Sequence, residues 1–559
     1  MFLFDWFRSL LPLHNPIGFG AADFIELAVA VLLVLSVFAW NRLEAPARHL
    51  AKHPRWSMLM LAAFPVVLRL VLLPRFPAPT PSGADDFGYI LLADTLRHFR
   101  LANPVHPMQQ FFEAVFILQE PTYSSIFPLG QGLALTFGWM IFGHPWAGVL
   151  LSMAALSAAI YWMLRGWTTP GWALVGGLLA ACEFGPLNEW MNLYWGGAVS
   201  AVAGCLVFGA LPRLREFGRR RDAILLGAGL GLQLVTRPFE FVLLLACVAV
   251  WWVVSVRRLP IAAQVSNLPH IALAILPFAL LMLAHNKAVT GSFVTLPYQL
   301  SRWQYGVPTT FTFQPNPASH RPLTPEQQLD YQAQSIIHGE GTDTFGSWMS
   351  RLADRVHFYR FFFYPPLYLV LPVFLLALRE WRFVWLAATV LVFAIGDNFY
   401  PYFYPHYIAV ETSAFVLVSV VALERVSRWS PLAARLVLYL CAAQFVFWYG
   451  MHAASKPLLM TAGRYDTGDF INYGDPEGRI RINQELAATA GKKLVFVRYG
   501  PQHMFHEWIH NAADLDSADV VWAADMGGLA DHMLRSYYPS RSAWIVEPDA
   551  KPPRLIPYP

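Results

Sequence analysis

Long apolar runs, separated by short polar segments, occupy most of the chain before residue 453. A transmembrane helix needs about 20 consecutive, mostly apolar residues. Runs that approach this length lie at residues 22–40, 57–73, 146–164, 171–184, 197–211, 223–236, 239–256, 269–285, 361–378, 383–396, 407–424 and 434–451. The pattern therefore predicts a polytopic α-helical membrane protein with about 12–13 transmembrane helices.

The pattern changes after residue 453, where charges return and the apolar runs become shorter. Three of these runs predict buried strands and two segments predict helices, in chain order Lys493–Val497, 502–512, Asp519–Trp522, 527–536 and Ala543–Val546. Residues 552–559 are rich in proline and predict an extended end. We therefore expect a transmembrane domain over 1–452 and a small soluble α/β domain over 453–559.

The composition agrees with a membrane protein. Charged residues make up 14% of the chain, whereas a soluble domain usually carries about 25%. The net charge of +4 is small for 559 residues, which argues against a polyanionic partner such as nucleic acid. Residues 1–13 lack the features of a signal peptide, so the run 22–40 is expected to remain as a span.

Neither the cysteines nor the histidines form a pattern that predicts a metal site. Cys182, Cys205, Cys247 and Cys441 all lie in apolar stretches without a CxxC spacing, so we interpret them as core residues. The 17 histidines include no HExxH motif or Cys/His cluster. No cofactor is indicated, and assistance by a divalent metal ion is left open.

The basic residues predict the orientation in the membrane. Five basic segments lie between apolar runs, at 42–55, 213–221, 257–258, 379–382 and 425–428. The positive-inside rule places them in the cytoplasm, provided that 129–143 is an interfacial or re-entrant helix. The long loops 74–145 and 286–360 and the C-terminal domain then face the outside. We thus expect a multi-pass inner (plasma) membrane protein whose chemistry faces the periplasm.

An acidic pair, Asp85-Asp86, begins an amphipathic segment that predicts a membrane-surface helix up to Leu96. An Asp at the centre of a bilayer costs about 2.5–3.5 kcal/mol, so the pair belongs at the interface. A carboxylate at the start of such a helix can act as a general base if a hydroxyl reaches it. The alternative is a solvated pair of loop residues.

The segment Asp85-Asp86-Phe87-Gly88-Tyr89, following an early span, resembles the GT-C superfamily of membrane glycosyltransferases. Within it, the chain is similar to the protein O-mannosyltransferase and lipid A aminoarabinose transferase branch, in particular to a bacterial subgroup. The family more often has Asp-Glu at the acidic pair. Further similar segments are Asp94-Thr95, Arg100–Pro107, Phe112-Glu113, Pro121–Tyr123, Gly130–Gly132, Tyr194–Gly197, Thr236–Glu240, Pro405–Tyr407 and Val521–Gly527.

The resemblance implies an inverting glycosyltransferase with a polyprenyl-phosphate sugar as donor. The acceptor would be a hydroxyl of a lipid, glycan or protein. Asp85 would take the proton from that hydroxyl, and Asp86 would orient the loop or tune the pKa of Asp85. The leaving lipid phosphate requires cationic partners. The matching outer-face candidates are Arg237, His406, Lys287 and Arg360.

Each phosphate candidate has an alternative interpretation. Arg237 could form an ion pair with Glu240, three residues later. His406 could belong to an interfacial aromatic belt. Lys287 and Arg360 could mark the ends of spans by snorkelling.

The acceptor side has its own candidates. Tyr89 follows the acidic pair, and Glu113 and Glu120 lie in the same outer loop, where they could line the acceptor site or cap surface helices. The segment Tyr194–Gly197 could stack against sugar or isoprenoid, or serve helix packing through its glycines.

Three rival functions remain open at this point. A transporter or flippase of lipid-linked sugars would be expected to carry its charges near the bilayer midplane. A glycan polymerase or ligase would not need an acidic pair after an early span. A sensor would use the C-terminal domain to bind a ligand.

Overall fold

The computed structural model describes residues 40–256, 265–453 and 477–559, together with residues 28, 31, 32, 35 and 471. The predicted span 22–40 therefore lies almost entirely outside the described residues, as does the basic pair 257–258. All four cysteines are free thiols.

The described residues of the first half of the chain are mostly helical. Its helices are α1 (Trp40–Ala51), α2 (Pro54–Val71), α3 (Ala84–Arg97), α4 (Leu129–Phe142), α5 (Trp146–Leu164), α6 (Pro170–Glu183), α7 (Glu189–Asn192), α8 (Ala198–Phe217), α9 (Arg220–Thr236), α10 (Pro238–Val256) and α11 (Leu268–Thr290). Proline occupies the first position of α2, α6 and α10, where its missing N–H has no helical partner to lose. The predicted runs in this part of the chain are thus helices.

The second half of the membrane domain continues with α12 (Pro297–Tyr305), α13 (Pro325–His338), α14 (Phe345–Arg355), α15 (Trp381–Asp397), α16 (Thr412–Trp429) and α17 (Pro431–Ala453). The predicted span 361–378 is not an α-helix. It consists of 3-10 segments, Pro365–Leu369 and Leu371–Arg379, that follow a third one, Val356–Phe362. Pro365, Pro366 and Pro372 explain the difference, because proline removes a helical hydrogen bond and clashes with the preceding turn.

The protein is an integral membrane protein by the length and composition of its helices. Among the described residues, five helices are long and apolar enough to cross a membrane: Pro54–Val71, Trp146–Leu164, Ala198–Phe217, Leu268–Thr290 and Pro431–Gly450. Two shorter apolar helices are Leu129–Phe142 and Pro238–Val254. With 14 residues, α4 extends for about 21 Å, which is less than the hydrocarbon thickness of a bilayer.

The predicted cytoplasmic segments contact one another at one end of the bundle. The Arg215 guanidinium lies 4.2 Å from the centre of the Trp381 ring, and Arg425 forms an ion pair with Glu380 at 3.2 Å. Glu44, in the first basic segment, pairs with Arg435 at 3.3 Å. Three of the five basic segments, 213–221, 379–382 and 425–428, thus contact one another.

Close helix packing relies on small residues. A Cβ atom on Gly138 of α4 would lie 1.9 Å from the backbone nitrogen of Gly148 in α5. A Cβ atom on Gly204 of α8 would lie 1.8 Å from the carbonyl oxygen of Val410. Glycine is therefore required at both crossings, as is common where transmembrane helices approach closely.

The C-terminal domain is a small α/β unit. Its elements are α18 (Arg479–Ala488), β3 (Lys493–Val497), β4 (Val520–Ala524), α19 (Gly528–Tyr537), β5 (Ser542–Glu547) and β6 (Arg554–Pro557). A separate hairpin in the loop 74–145 consists of β1 (Ile117–Leu118) and β2 (Ser124–Ser125). The sheet order is β4-β3-β5-β6, with β6 antiparallel to β5 and the other pairs parallel. The three predicted strands are present, and the predicted extended end contributes a fourth.

The predicted helix at 502–512 is wrong, because this segment has no helical turns. Side chains accept hydrogen bonds from its backbone N–H groups instead. The Trp508 N–H donates to the Tyr499 hydroxyl at 2.8 Å, and the Ile509 N–H donates to Glu507 Oε1 at 2.9 Å. These local partners replace the hydrogen bonds that a helix would supply.

The same segment docks the C-terminal domain onto α3 and the loop 74–145. The His510 ring stacks on Phe87 with 4.1 Å between centroids, and the Ala513 N–H donates to Asp94 Oδ2 at 2.8 Å. The Val115 N–H donates to Glu507 Oε2 at 3.1 Å. The C-terminal domain is thereby held directly against the helix that carries the acidic pair.

Candidate active site

The acidic pair lies in the first turn of α3, which begins after Gly83. The helix is fixed by aromatic packing: Tyr89 stacks on Phe127 with 4.3 Å between ring centroids. Gly88 allows this approach, since a Cβ atom there would lie 2.5 Å from the Phe127 ring. The N-terminal end of a helix carries a partial positive charge that favours carboxylates.

A cavity of about 910 Å³ borders this turn. It lies between the membrane helices, the loops 74–145 and 286–360 and the C-terminal domain. Polar and aromatic residues in its wall include Asp85, Asp86, Tyr89, Trp195, Arg237, Glu240, Tyr298, Asp330, Gln334, Tyr400, Tyr402, Tyr404, His406, Tyr407, Glu477, Arg479 and His506. Its volume is in the upper part of the range for small-molecule sites, about 300–1,000 Å³. The cavity is therefore large enough to hold groups from more than one ligand.

Asp85 faces this cavity. Among the described residues, only its own backbone N–H donates to its carboxylate. Burial and the neighbouring Asp86 carboxylate raise the pKa of Asp85 to about 7, although the positive charge of Arg237 opposes the shift. A carboxylate that faces a cavity and has a pKa near neutrality has the properties of a general base.

Asp86 is held in the protein instead. It is 2% exposed, and its Oδ1 accepts the Tyr194 N–H at 3.0 Å. Its Oδ2 accepts the Ser82 N–H at 3.4 Å. Asp86 thus connects the start of α3 to the segment after α7 and adds a negative charge beside Asp85.

The Asp86→Asn variant should separate these two effects. The Asn carbonyl can still accept from Tyr194, but the amide nitrogen cannot accept from Ser82, so the free energy of unfolding should fall by about 1–3 kcal/mol. Removal of the negative charge should also lower the pKa of Asp85. Thermal unfolding in detergent measures the first effect, and the acid limb of the pH–rate profile measures the second. An unchanged acid limb would contradict the electrostatic role of Asp86.

Arg237 lies between α9 and α10, where Pro238 starts the next helix. Its Nη1 forms an ion pair with Glu240 at 3.2 Å, and its guanidinium lies 4.3 Å from the centre of the Tyr407 ring. The alternative interpretation as an ion pair therefore describes a real contact. Arg237 also lines the cavity, with 17% of its side chain exposed, so it remains accessible to a ligand.

His406 lines the cavity but is enclosed by aromatic rings. It is 5% exposed, and its ring centroid lies 4.6 Å from that of Trp195 and 4.7 Å from that of Tyr407. Burial and the charge of Arg237 hold the pKa of His406 well below its usual range. It is therefore neutral near pH 7 and can offer a hydrogen bond but not a charge.

Lys287 and Arg360 do not line the cavity. Lys287 is exposed, and its Nζ donates to the Gly291 carbonyl at 2.6 Å at the end of α11. Arg360 is 6% exposed, and its Nε donates to the His357 carbonyl at 3.0 Å. Of the four cations that the sequence proposed for a phosphate, the structure brings Arg237 and His406 to Asp85 and leaves these two elsewhere.

Glu113 and Glu120 also lie away from the cavity wall. Both form ion pairs with Arg321 of the loop 286–360, at 2.8 and 3.0 Å respectively. Glu113 also accepts from the Tyr305 hydroxyl at 2.8 Å. These contacts join the loops 74–145 and 286–360. Tyr89 does line the cavity, and burial raises its pKa to about 12.

Both interpretations of the segment Tyr194–Gly197 describe part of it. The Trp195 ring lines the cavity beside His406. Gly197 serves packing, because a Cβ atom there would lie 2.4 Å from the Trp190 ring and 2.9 Å from the Ala409 side chain.

The cavity contains polar residues that sequence reasoning did not single out. Asp330 and Gln334 come from α13, and Glu477, Arg479 and His506 come from the C-terminal domain. For Asp330 and Gln334, the one local signal in the sequence was their spacing of four residues, which places both on the same face of a helix. In the part of the chain that the structure describes, no group of three or more His, Cys, Asp or Glu side chains could hold a metal ion.

Comparisons with known proteins give no match to a family model and none to a curated protein. Among solved structures, ArnT from Cupriavidus metallidurans bound to undecaprenyl phosphate is similar at 13% identity, covering 87% of this chain and 92% of its own, with a TM-score of 0.48. The archaeal oligosaccharyltransferase AglB from Archaeoglobus fulgidus, in complex with an inhibitory peptide and a dolichol-phosphate, is similar at 10% identity, covering 89% and 70%, with a TM-score of 0.40. At these values, the roles of individual residues must be argued from the geometry of this chain.

Proposed function

We propose that the protein is a GT-C-type inverting glycosyltransferase that uses a polyprenyl-phosphate sugar as donor. One observation carries the proposal. The carboxylate of Asp85 and the guanidinium of Arg237, which are far apart in sequence, meet in the wall of a single cavity at the end of the membrane helices. This arrangement provides a base and a cation for a phosphate in one enclosed space.

In the proposed reaction, the acceptor hydroxyl oxygen attacks the anomeric carbon of the donor sugar. Asp85 takes the hydroxyl proton as the new carbon–oxygen bond forms. The bond between the anomeric carbon and the phosphate oxygen breaks, and its electron pair stays with the lipid phosphate. Attack from the face opposite the leaving group inverts the anomeric centre.

The charge that develops on the leaving phosphate needs a fixed positive partner. Arg237 has this role in the proposal, because it is the charged one of the two predicted phosphate-binding residues that line the cavity. His406 would add a neutral N–H donor beside it. Since Glu240 already pairs with Arg237, the guanidinium is oriented before the donor arrives.

Transfer by the purified protein tests the function. The protein in detergent is mixed with a panel of synthetic polyprenyl-phosphate hexoses and pentoses and with lipid, glycan and peptide acceptors. We expect release of the polyprenyl phosphate together with a glycosylated acceptor of inverted anomeric configuration. Transport of intact donor across a vesicle membrane, without any transfer, would favour the flippase instead.

The proposal places the cavity on the periplasmic face, which predicts a labelling pattern for exposed positions. Glu340→Cys in the second outer loop and Leu529→Cys in the C-terminal domain should react with a membrane-impermeant thiol reagent in intact cells. Arg48→Cys and Arg221→Cys, at the basic end, should react only after permeabilisation. The parent protein is the control for its own four cysteines. The reverse pattern would place the cavity in the cytoplasm.

A further inference from the structure

One arginine of the C-terminal domain reaches the start of α3. Arg479, the first residue of α18, is 4% exposed and forms part of the cavity wall. Its Nη2 donates to the Ser82 carbonyl at 3.4 Å, and its guanidinium lies 5.1 Å from the centre of the Phe87 ring. Ser82 precedes Asp85 in the chain, and Phe87 follows it. Arg479 therefore contacts the chain on both sides of the candidate base.

The position of the Arg479 guanidinium is set by its own domain. Its Nε forms an ion pair with Glu477 at 2.7 Å, and its Nη2 donates to the Glu507 carbonyl. The guanidinium also lies 4.3 Å from the centre of the buried Trp508 ring, which is a favourable cation–π contact. Because all three partners belong to the C-terminal domain, the guanidinium is oriented by that domain when it meets α3.

The start of α3 depends on contacts of this kind. Its N-cap residue is Gly83, which has no side chain that could accept a hydrogen bond from the first turn. The Phe87 N–H donates to the Gly83 carbonyl at 3.3 Å, and the Ser82 N–H donates to Asp86 Oδ2 at 3.4 Å. A shift of Ser82 would therefore move the first turn of the helix, which carries Asp85.

A second side chain of the C-terminal domain holds the other end of this turn. The His510 ring stacks on Phe87, so Phe87 lies in contact with both Arg479 and His510. Phe87 is 8% exposed, and its ring is therefore enclosed by these neighbours. The first turn of α3 is thus fixed on the C-terminal domain before and after the acidic pair.

We propose that Arg479 is a positioning residue, through which the C-terminal domain holds the first turn of α3 so that Asp85 meets the acceptor hydroxyl in the cavity. The inference rests on the proposed function for the role of Asp85, whereas the contact between Arg479 and α3 stands on the geometry. It makes the C-terminal domain a part of the active site instead of a separate sensor.

Kinetics of transfer test the proposal first. Arg479→Gln keeps a planar polar end but removes the charge, and kcat should fall about 10- to 100-fold, because small displacements of a catalytic group have effects of this size. Affinity for polyprenyl phosphate should stay parental, since Arg237 binds the phosphate. Arg479→Lys should recover part of kcat. Arg498→Gln is the matched control, because the ion pairs of Arg498 with Asp525 and Glu547 stay within the C-terminal domain, and it should transfer like the parent.

The pH profile separates positioning from a general loss of stability. Burial is the largest cause that raises the pKa of Asp85, so release of the helix start into water should lower that pKa. The acid limb of kcat/KM should therefore move to lower pH in Arg479→Gln. Phe87→Leu removes the same contact from the α3 side and should move the limb in the same direction. An acid limb at the parental pH in both variants would overturn the positioning role.

Hydrogen–deuterium exchange of the full chain in detergent measures the contact without any transfer. In Arg479→Gln, the amides of residues 82–88 should exchange faster, whereas those of β3 should keep parental protection because the domain stays folded. Parental exchange of residues 82–88 would overturn the proposal. Faster exchange of this segment alone, in a protein that never transfers a sugar, would overturn the glycosyltransferase and leave the contact standing. The two failures are therefore distinguishable.

Discussion

The Asp85→Asn variant should transfer sugar about 10² to 10⁴ times more slowly than the parent, because loss of a general base typically lowers the rate by this factor. The substitution preserves the shape of the side chain, and none of the other described residues bonds to the carboxylate, so the fold should survive. Donor binding should persist, since the base acts on the acceptor hydroxyl. Turnover of a synthetic polyprenyl-phosphate sugar, with donor binding measured separately, checks both expectations.

The pH dependence of kcat/KM tests the role of Asp85 independently. Because the pKa of Asp85 is raised to about 7, the ionised base becomes more abundant as the pH rises through about 7. The parent protein should therefore gain kcat/KM with increasing pH and reach a plateau above that value. In Asp85→Asn, this acid limb should be absent from the residual activity.

The exposed Asp514→Asn, in the C-terminal domain, is the matched control and should transfer like the parent. If Asp85→Asn turns over at the parental rate, or if Asp86→Asn is the more damaging change, the assignment of the base is wrong. If neither substitution lowers the rate of transfer, the proposed glycosyltransferase function loses its main support.

Arg237→Ala should weaken both donor binding and turnover by about 30-fold or more, because removal of one partner of a buried charge pair costs about 2–5 kcal/mol. Arg237→Lys should recover part of the loss, since an ammonium supplies the charge without the planar fork. Binding of polyprenyl phosphate and transfer are the two measurements. Lys287→Ala removes a predicted cation that lies outside the cavity wall, and it should behave like the parent.

The ion pair with Glu240 requires its own control, because Arg237→Ala also leaves a buried carboxylate without a partner. The double variant Arg237→Ala/Glu240→Gln removes that unpaired charge and should recover thermal stability. It should remain unable to bind the phosphate. Recovery of transfer in the double variant would assign Arg237 to the ion pair alone.

Sequence patterns alone predicted the membrane character, the strands of the C-terminal domain and the position of the acidic pair at the start of a helix. These features depend on periodicity and composition over a few turns, which local residues control. The predicted α-helix at 361–378 was wrong because three prolines outweigh hydrophobicity there. The predicted helix at 502–512 was wrong because side chains of the folded domain, such as Tyr499, satisfy its backbone.

Tertiary structure alone decided which polar residues share the cavity. Apolar runs predict that Arg237, Lys287 and Arg360 lie near the ends of spans, but they carry no information about which ends meet. The difference between Asp85 and Asp86 likewise depends on the Tyr194 N–H, which reaches Asp86 only in the folded chain. Asp330 and Gln334 line the cavity only because packing buries α13 beside it. Their environment is built from segments distant in sequence, because burial and charge pairing depend on neighbours that only folding brings together.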